Sequence, residues 1–358
     1  MIAMWPVLFS LVLSADQVVS EIATDEVVVF YPTYAHRTTD EKSWVLHVHG
    51  RIFEPEESSI KRAALVAMMR RSFGLSKQEE ETATFKKRVR AFLVDNERNK
   101  TIHIRLGDSV FRAGKSGPNG HFSSNLVLSN EQVAAVRRSD EKNHSTLNFT
   151  AVVPADDRRE FIGQVELIEP RGLSVISDVD DTIKISEVAD RRALLANTFL
   201  RAFKPVAGMP ELYQQWEKTG VRFHYVSASP WQLYGPMAEF LVAEKFPAGS
   251  LHMKMFRLTD RSALDLLATQ HKYKPDVIDK ILTDFPQRRF VLVGDSGEQD
   301  PEIYGDLARK HPEQVVRILI REVATMEQAE ARYKAAFKDI ERERWQVFTN
   351  PREIVGVR

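Results

Sequence analysis

The chain has 358 residues, enough for two ordinary domains with a core in each. Lys plus Arg and Asp plus Glu both number 50, so no global charge favours nucleic acid, and none is expected as a partner. There is no cysteine, which excludes disulfides, thiolate zinc sites and a cysteine nucleophile.

Residues 1–19 are set apart as a possible signal peptide or leader. Met1 to Ala15 is apolar and ends in Ser14-Ala15, like the core and cleavage region of a signal peptide. It lacks a basic n-region and a small residue at Leu13, and it is too short to span a bilayer as a helix. Export, or a cytoplasmic or peripheral-membrane address with a leader or mis-assigned start, are the two readings of this stretch. No other segment is long and apolar enough to be transmembrane.

Residues 20–170 read as a mostly β, sandwich-like domain. Short, partly alternating runs occur at Val27–Tyr31, Trp44–Phe53, Val89–Val94, Thr101–Leu106, His121–Leu128, Leu147–Val153 and Phe161–Ile168. Turn formers such as Gly117-Pro118-Asn119-Gly120 separate them. One helix interrupts the pattern from Ser58 to Arg71, with Ile60, Ala64, Leu65, Met68 and Met69 at helical spacing. The basic clusters Arg70-Arg71 and Lys86-Lys87-Arg88-Val89-Arg90 read as solvated faces.

From about residue 171 to 325 strands alternate with helices. Strands fit Leu173–Ser177, Val221–Val226, Leu251–Phe256, Phe290–Val293 and Val315–Ile320; helices fit Ala189–Phe203, Met209–Lys218, Gln232–Glu244 and Asp276–Asp284. That order implies an α/β domain on a mainly parallel sheet, with ligands beyond the carboxyl ends of the strands. Residues 326–358 read as a C-terminal helix, Met326 to Trp345, and a tail.

The chemistry gathers at those strand ends. Asp178 and Asp180 stand two apart where the first strand stops, with Thr182 beyond them. Ser227 follows the second strand, Lys274 lies in His271-Lys272-Tyr273-Lys274, and Asp295 and Asp300 sit in Gly294-Asp295-Ser296-Gly297-Glu298-Gln299-Asp300. Two carboxylates, a hydroxyl, an ammonium and a further acidic cluster suit phosphoryl transfer, which asks chiefly for positioning and charge stabilisation. A hard Mg²⁺ fits such an oxygen site. An EF-hand loop is the obvious rival, but Ile183 stands where it needs glycine and Ala189 where it needs glutamate. A receiver domain also has a strand-end acidic pocket, but does not need Asp180.

These elements in this order resemble the haloacid-dehalogenase (HAD) superfamily of phosphohydrolases. Ser-Asp-Val-Asp-Asp-Thr-Ile-Lys, His-Tyr-Val-Ser-Ala-Ser-Pro-Trp-Gln-Leu-Tyr and Val-Gly-Asp-Ser-Gly-Glu-Gln-Asp-Pro-Glu-Ile-Tyr resemble the actin-patch-associated phosphatidate phosphatases, with lipins as more distant relatives. The likeness covers about residues 172–322; upstream, Phe-Tyr-Pro-Thr-Tyr-Ala and Arg-Ala-Phe-Leu-Val-Asp-Asn resemble the β-rich region of bacterial members. The resemblance implies a HAD-like Rossmannoid fold and an aspartyl-phosphate mechanism. Asp178 is then the nucleophile and Asp180 the acid/base. Asp178, the Asp180 carbonyl and Asp295 hold Mg²⁺ with support from Asp300; Ser227 and Lys274 bind phosphate; Thr182 orients the phosphate loop. Lys274 is preferred to Lys272, and Lys254 comes third.

That division of labour calls for a pKa kept low by metal contact at Asp178, which attacks ionised, and a raised one at Asp180, which must hold a proton. Trp231, Gln232, Leu233 and Tyr234 read as helix-start packing, with a substrate-facing wall as the other use. His224 reads as an inward residue, and His252 has no partner at metal-ligand spacing. About 45 residues separate Thr182 from Ser227, too few for a large closing domain, although Ile183–Phe203 can form a flap. The Leu194, Leu195, Phe199 and Phe203 stripe reads as core before membrane contact. An open site suits phosphatidate at a membrane surface. A phosphoprotein or small-molecule phosphatase, and a non-catalytic phosphatidate-binding module, are the alternatives. Oligomeric state is not legible.

Overall fold

Alternation of buried and half-exposed residues along Ser43–Glu54 is the pattern of a strand with one face on a core. The computed structural model describes residues 18–55, 59–139, 145–255, 273–323 and 329–354. Expectations for Met1–Ala15, Phe256, His271, Lys272 and Met326 lie outside the described residues.

The chain divides into two compact units: residues to 56 with 94–169, and residues 57–93 with 170 onward. In the first, nine strands run β1 Val27–Phe30, β2 Thr33–Arg37, β3 Ser43–Glu54, β4 Asp95–Asn96, β5 Thr101–Leu106, β6 Ser109–Lys115, β7 His121–Ser129, β8 Thr146–Ala151 and β9 Ile162–Leu167. They form one hydrogen-bonded sheet in the order β1-β3-β2-β9-β8-β5-β6, with β4 and β7 also on β3. All these pairings are antiparallel except β2 with β9. The buried set includes Trp44, Leu46, Ile52, Ile104, Phe122 and Phe149, with the Phe30 ring edge-on to Phe122 and Phe149. A mostly β, sandwich-like unit was expected; the unit is mostly β, and its described strands join into one hydrogen-bonded sheet.

Val89–Val94 is not the strand expected from its apolar run. Phe85 and Val89 are four apart and bury one face of a helix, Ala83–Arg90, whose amino end is capped by Thr82. This helix and Ser59–Phe73 belong to the second unit, although they interrupt the sequence of the first.

The second unit is built on six strands: β10 Leu173–Asp178, β11 Arg222–Pro230, β12 Gly249–Lys254, β13 Arg289–Asp295, β14 Val315–Arg321 and β15 Trp345–Phe348. Their order is β12-β11-β10-β13-β14-β15, and every pairing is parallel. Strands β10 and β13 are almost wholly buried, as parallel strands under helices are. Strand β15 replaces the end of the expected C-terminal helix, whose described part is Ala329–Ala336; only pairing with β14 gives so short a run its strand geometry. The expected helix Ala189–Phe203 is instead Arg191–Leu195 followed by a π turn, Ala196–Leu200. In the stripe, Leu195 and Phe199 are fully buried and Phe203 packs edge-on to Phe240. Chain order reverses on either side of β10, so the crevice at its carboxyl end is the natural ligand position.

Candidate active site

Strand β10 delivers Asp178 at its last position, 1% exposed. Asp178 is in register with Val226 of β11, and Ser177 with Val293 of β13. Whatever follows those two neighbours therefore arrives beside the Asp178 carboxylate. Thr182 Oγ1 donates to Asp178 Oδ2 at 3.0 Å. Lys274 Nζ lies 2.8 Å from Asp178 Oδ1 and donates to Glu298 Oε2 and Asp300 Oδ1, each at 2.8 Å.

The β13 turn completes this cluster. Asp300 Oδ2 accepts from Asp295 N at 3.2 Å, and Gly297 N donates to Asp295 Oδ1 at 2.6 Å. Gly294 permits the approach: a Cβ there would lie 2.4 Å from Asp300 Oδ2 and 2.7 Å from Tyr304 Cε2. Asp295 Oδ2 is buried and has no hydrogen-bond partner. One oxygen each from Asp178, Asp295 and Asp300 lie within 4.8 Å of one another, all three residues buried. Buried carboxylates so close repel unless a cation sits among or beside them.

Asp180 has a separate set of contacts. Lys184 Nζ stands 2.7 Å from its Oδ1, which also accepts from Ser186 Oγ at 2.7 Å. Ser227 Oγ and Ser229 Oγ donate to its Oδ2 at 3.0 and 3.1 Å. The loop between is tied down by Asp181, whose carboxylate accepts from the backbone N–H groups of Ser186, Glu187 and Val188 at 2.7–2.8 Å. That grip holds Asp181 at φ 56°, a left-handed conformation that Asp tolerates better than most residues.

The electrostatics follow from the contacts. Burial raises the Asp178 carboxyl well above the usual carboxylate range; Lys274 opposes the rise, while Asp300, Asp295 and Glu298 add to it. Asp295 is raised by burial and then by Asp300. Burial works against the Lys274 charge, but Asp178, Asp300 and Glu298 outweigh it and hold the ammonium well above its ordinary range. Burial also works against Asp180, yet Lys184 and the Ser186 and Ser227 hydroxyls hold it well below the usual range. The raised value expected at Asp180 is not what these contacts give; the low value expected at Asp178 is tied to metal contact. Asp180 owns a cation and several donors, whereas Asp178 shares one cation with a crowd of carboxylates.

All seven residues singled out in the sequence fall in these two adjoining clusters: Asp178, Thr182, Lys274, Asp295 and Asp300 in one, Asp180 and Ser227 in the other. The expected phosphate ligands Thr182, Ser227 and Lys274 all engage carboxylates in this state. Lys254 is buried at the end of β12. Trp231 and Leu233 are buried, as packing residues are, and His224 is linked through Ser250 to His252. Lys184, Ser186, Ser229 and Glu298 were missed. For Lys184 and Ser186 a signal was present: both are polar and follow directly on the Asp178–Thr182 motif.

A family model described as phosphatidate phosphatase APP1, catalytic domain, matches residues 173–322. Phosphatidate phosphatase APP1 of Saccharomyces cerevisiae is 34% identical over 184 residues, 49% of this chain and 31% of that protein. An uncharacterized protein of Schizosaccharomyces pombe is 28% identical over 169 residues, 46% of this chain and 27% of that protein. The match thus spans under a third of either relative's length. Among solved structures, a chain of a Pnkp1/Rnl/Hen1 complex has a TM-score of 0.32 and 10% identity over 54% of this chain and 61% of that one, a likeness too distant to bear on the fold. Over residues 173–322, β10 through β14 and their strand-end acidic site, the chain is similar to the catalytic domain of phosphatidate phosphatase APP1.

Proposed function

We propose that the protein is a Mg²⁺-dependent phosphatidate phosphatase with a HAD-like catalytic domain, releasing diacylglycerol and phosphate. The observation that carries this reading is the convergence of Asp178, Lys274, Asp295 and Asp300 in one buried cluster beside Asp180. A structural ion-pair network would not leave Asp295 Oδ2 buried and unpartnered; a hard cation gives that oxygen a use.

Asp178, Asp295 and Asp300 would hold Mg²⁺, with the Asp180 carbonyl as a further oxygen. When bound, the cation offsets the charge of the carboxylates and of the phosphate oxygens. Asp178 Oδ attacks phosphorus, the bond from phosphorus to the glycerol oxygen breaks, and the proton on Asp180 goes to that oxygen. A water then attacks the aspartyl-phosphate, gives its proton back to Asp180, and the phosphorus–Asp178 bond breaks. Thr182 fixes the free oxygen of the nucleophile by the 3.0 Å hydrogen bond it already makes. Ser227 and Ser229 orient the acid/base, and an incoming phosphate competes with Asp180 for Lys184 and the hydroxyls. That competition releases Asp180 from the contacts that now keep it ionised.

Purified protein assayed on phosphatidate in mixed micelles, beside soluble sugar and nucleotide phosphates, tests the reading. Phosphate release from phosphatidate, dependent on Mg²⁺ and abolished by Asp178→Asn, is expected. Release confined to the soluble esters would overturn the lipid substrate, and an unimpaired Asp178→Asn would overturn the mechanism.

A further inference from the structure

Residues 59–93 contain nine Lys and Arg against three Glu in a chain whose net charge is zero. They interrupt the sequence of the β unit yet pack with the parallel-sheet unit. Helix Ala83–Arg90 shows how. Its buried residues are Phe85, Arg88 and Val89. Arg88 donates to Thr198 O at 2.6 Å, and its guanidinium lies 4.0 Å from the centre of the Phe203 ring. Lys184 Nζ stands 4.7 Å from the same ring and is the cation paired with Asp180. A single aromatic ring therefore stands between the inner face of this helix and the site.

The outer face is cationic. Lys86, Lys87 and Arg90 are exposed, and their spacing places them within about 100° of arc. The ion pairs Lys86–Glu81 and Lys87–Glu239 join side chains 44–75% exposed, so they exchange readily for another anion. Arg201 and Lys204, on the turn that carries Phe203, are exposed as well. Three residues beyond Glu239, Val242 is 78% exposed. An exposed row of cations, with a lone exposed apolar side chain on the helix that Lys87 pairs with, matches the chemistry of an anionic bilayer surface better than that of an apolar protein groove.

We propose that this face, Lys86, Lys87 and Arg90 with Arg201 and Lys204, docks the protein on an anionic phospholipid surface and brings the Asp178–Asp180 pocket to the headgroups. The purpose of the docking rests on the phosphatidate reading, but the docking itself is measurable without catalysis.

The full chain is sedimented with phosphatidylcholine vesicles, with and without phosphatidylserine. The wild type should bind only the anionic vesicles, less so as salt rises. Lys86→Ser/Lys87→Ser/Arg90→Ser should weaken partitioning on the order of 100-fold. That variant should hydrolyse a water-soluble short-chain phosphatidate as the wild type does, and Lys86→Arg/Lys87→Arg/Arg90→Lys should keep membrane binding. A wild type that ignores anionic vesicles would overturn the proposal and leave an acidic protein segment as the occupant; so would a triple Ser variant that binds undiminished. If the binding difference holds while no phosphomonoester is hydrolysed, the docking stands and the catalytic reading falls.

Discussion

Lys184 Nζ lies 2.7 Å from Asp180 Oδ1, four residues further along the same loop, with the lysine side chain 1% exposed. A buried ion pair adds little net stability over an apolar pair, but removing one partner strands the other charge. Lys184→Met should therefore destabilise the protein by about 3–5 kcal/mol. Asp180→Asn on the same background should recover part of the loss, because the stranded carboxylate is gone. Urea unfolding of the two single variants and the double variant reads the coupling; strictly additive losses would mean the pair is not interacting.

The orphaned Asp295 Oδ2 yields a prediction about ligand and metal removal. Mg²⁺ at 100 times its dissociation constant should stabilise the wild type by about 2.7 kcal/mol, and EDTA should remove that gain. Asp295→Asn should abolish the shift while keeping a similar melting temperature without metal. Burial raises both Asp178 and Asp295, so protons compete with the cation and the shift should shrink as pH falls. Thermal denaturation with and without Mg²⁺ checks this; a full shift in Asp295→Asn would remove that residue from the site.

In the β unit, His49 Nε2 and His121 Nδ1 share a hydrogen bond of 3.1 Å beside Tyr31. Burial lowers His49 to about 4, and burial, His49 and Arg51 lower His121 to about 2. Below about pH 6.5 the unfolded chain takes up protons that the folded pair refuses. The contribution of the pair is thus complete above that pH and is lost as pH falls toward about 4. Melting temperature measured from pH 7.5 to 5 should fall with pH, and His121→Gln should flatten the slope. An unchanged slope in that variant would assign the pH dependence to other groups.

Parts of this arrangement were legible because they are local. The run Leu173–Ser177 ends in Asp178 because a buried parallel strand is apolar until it reaches the ligand end of its sheet. Thr101–Leu106 was bounded to the residue by its composition and flanking turns. Strands β2 and β6 escaped notice, since Thr33–Arg37 and Ser109–Lys115 become strands by pairing with partners whose positions the sequence does not announce. The end of helix Ala83–Arg90 falls in the expected strand Val89–Val94, because Val89, Phe92, Leu93 and Val94 lie close enough together to fit either period.

The residue types and order of Asp178, Asp180, Ser227, Lys274, Asp295 and Asp300 were set by the sequence alone, and with them the class of chemistry the chain can support. Tertiary structure alone decided which of them share a cation. It gave Asp180 its own lysine, left Asp178 to share Lys274 with Glu298 and Asp300, and so lowered Asp180 where motif reasoning expects it raised. It also carried a basic helix from the β region onto the unit that holds the site. The physical reason is the same in both cases: pKa and docking depend on which charges lie within a few ångströms through space, and spacing along the chain does not encode that distance.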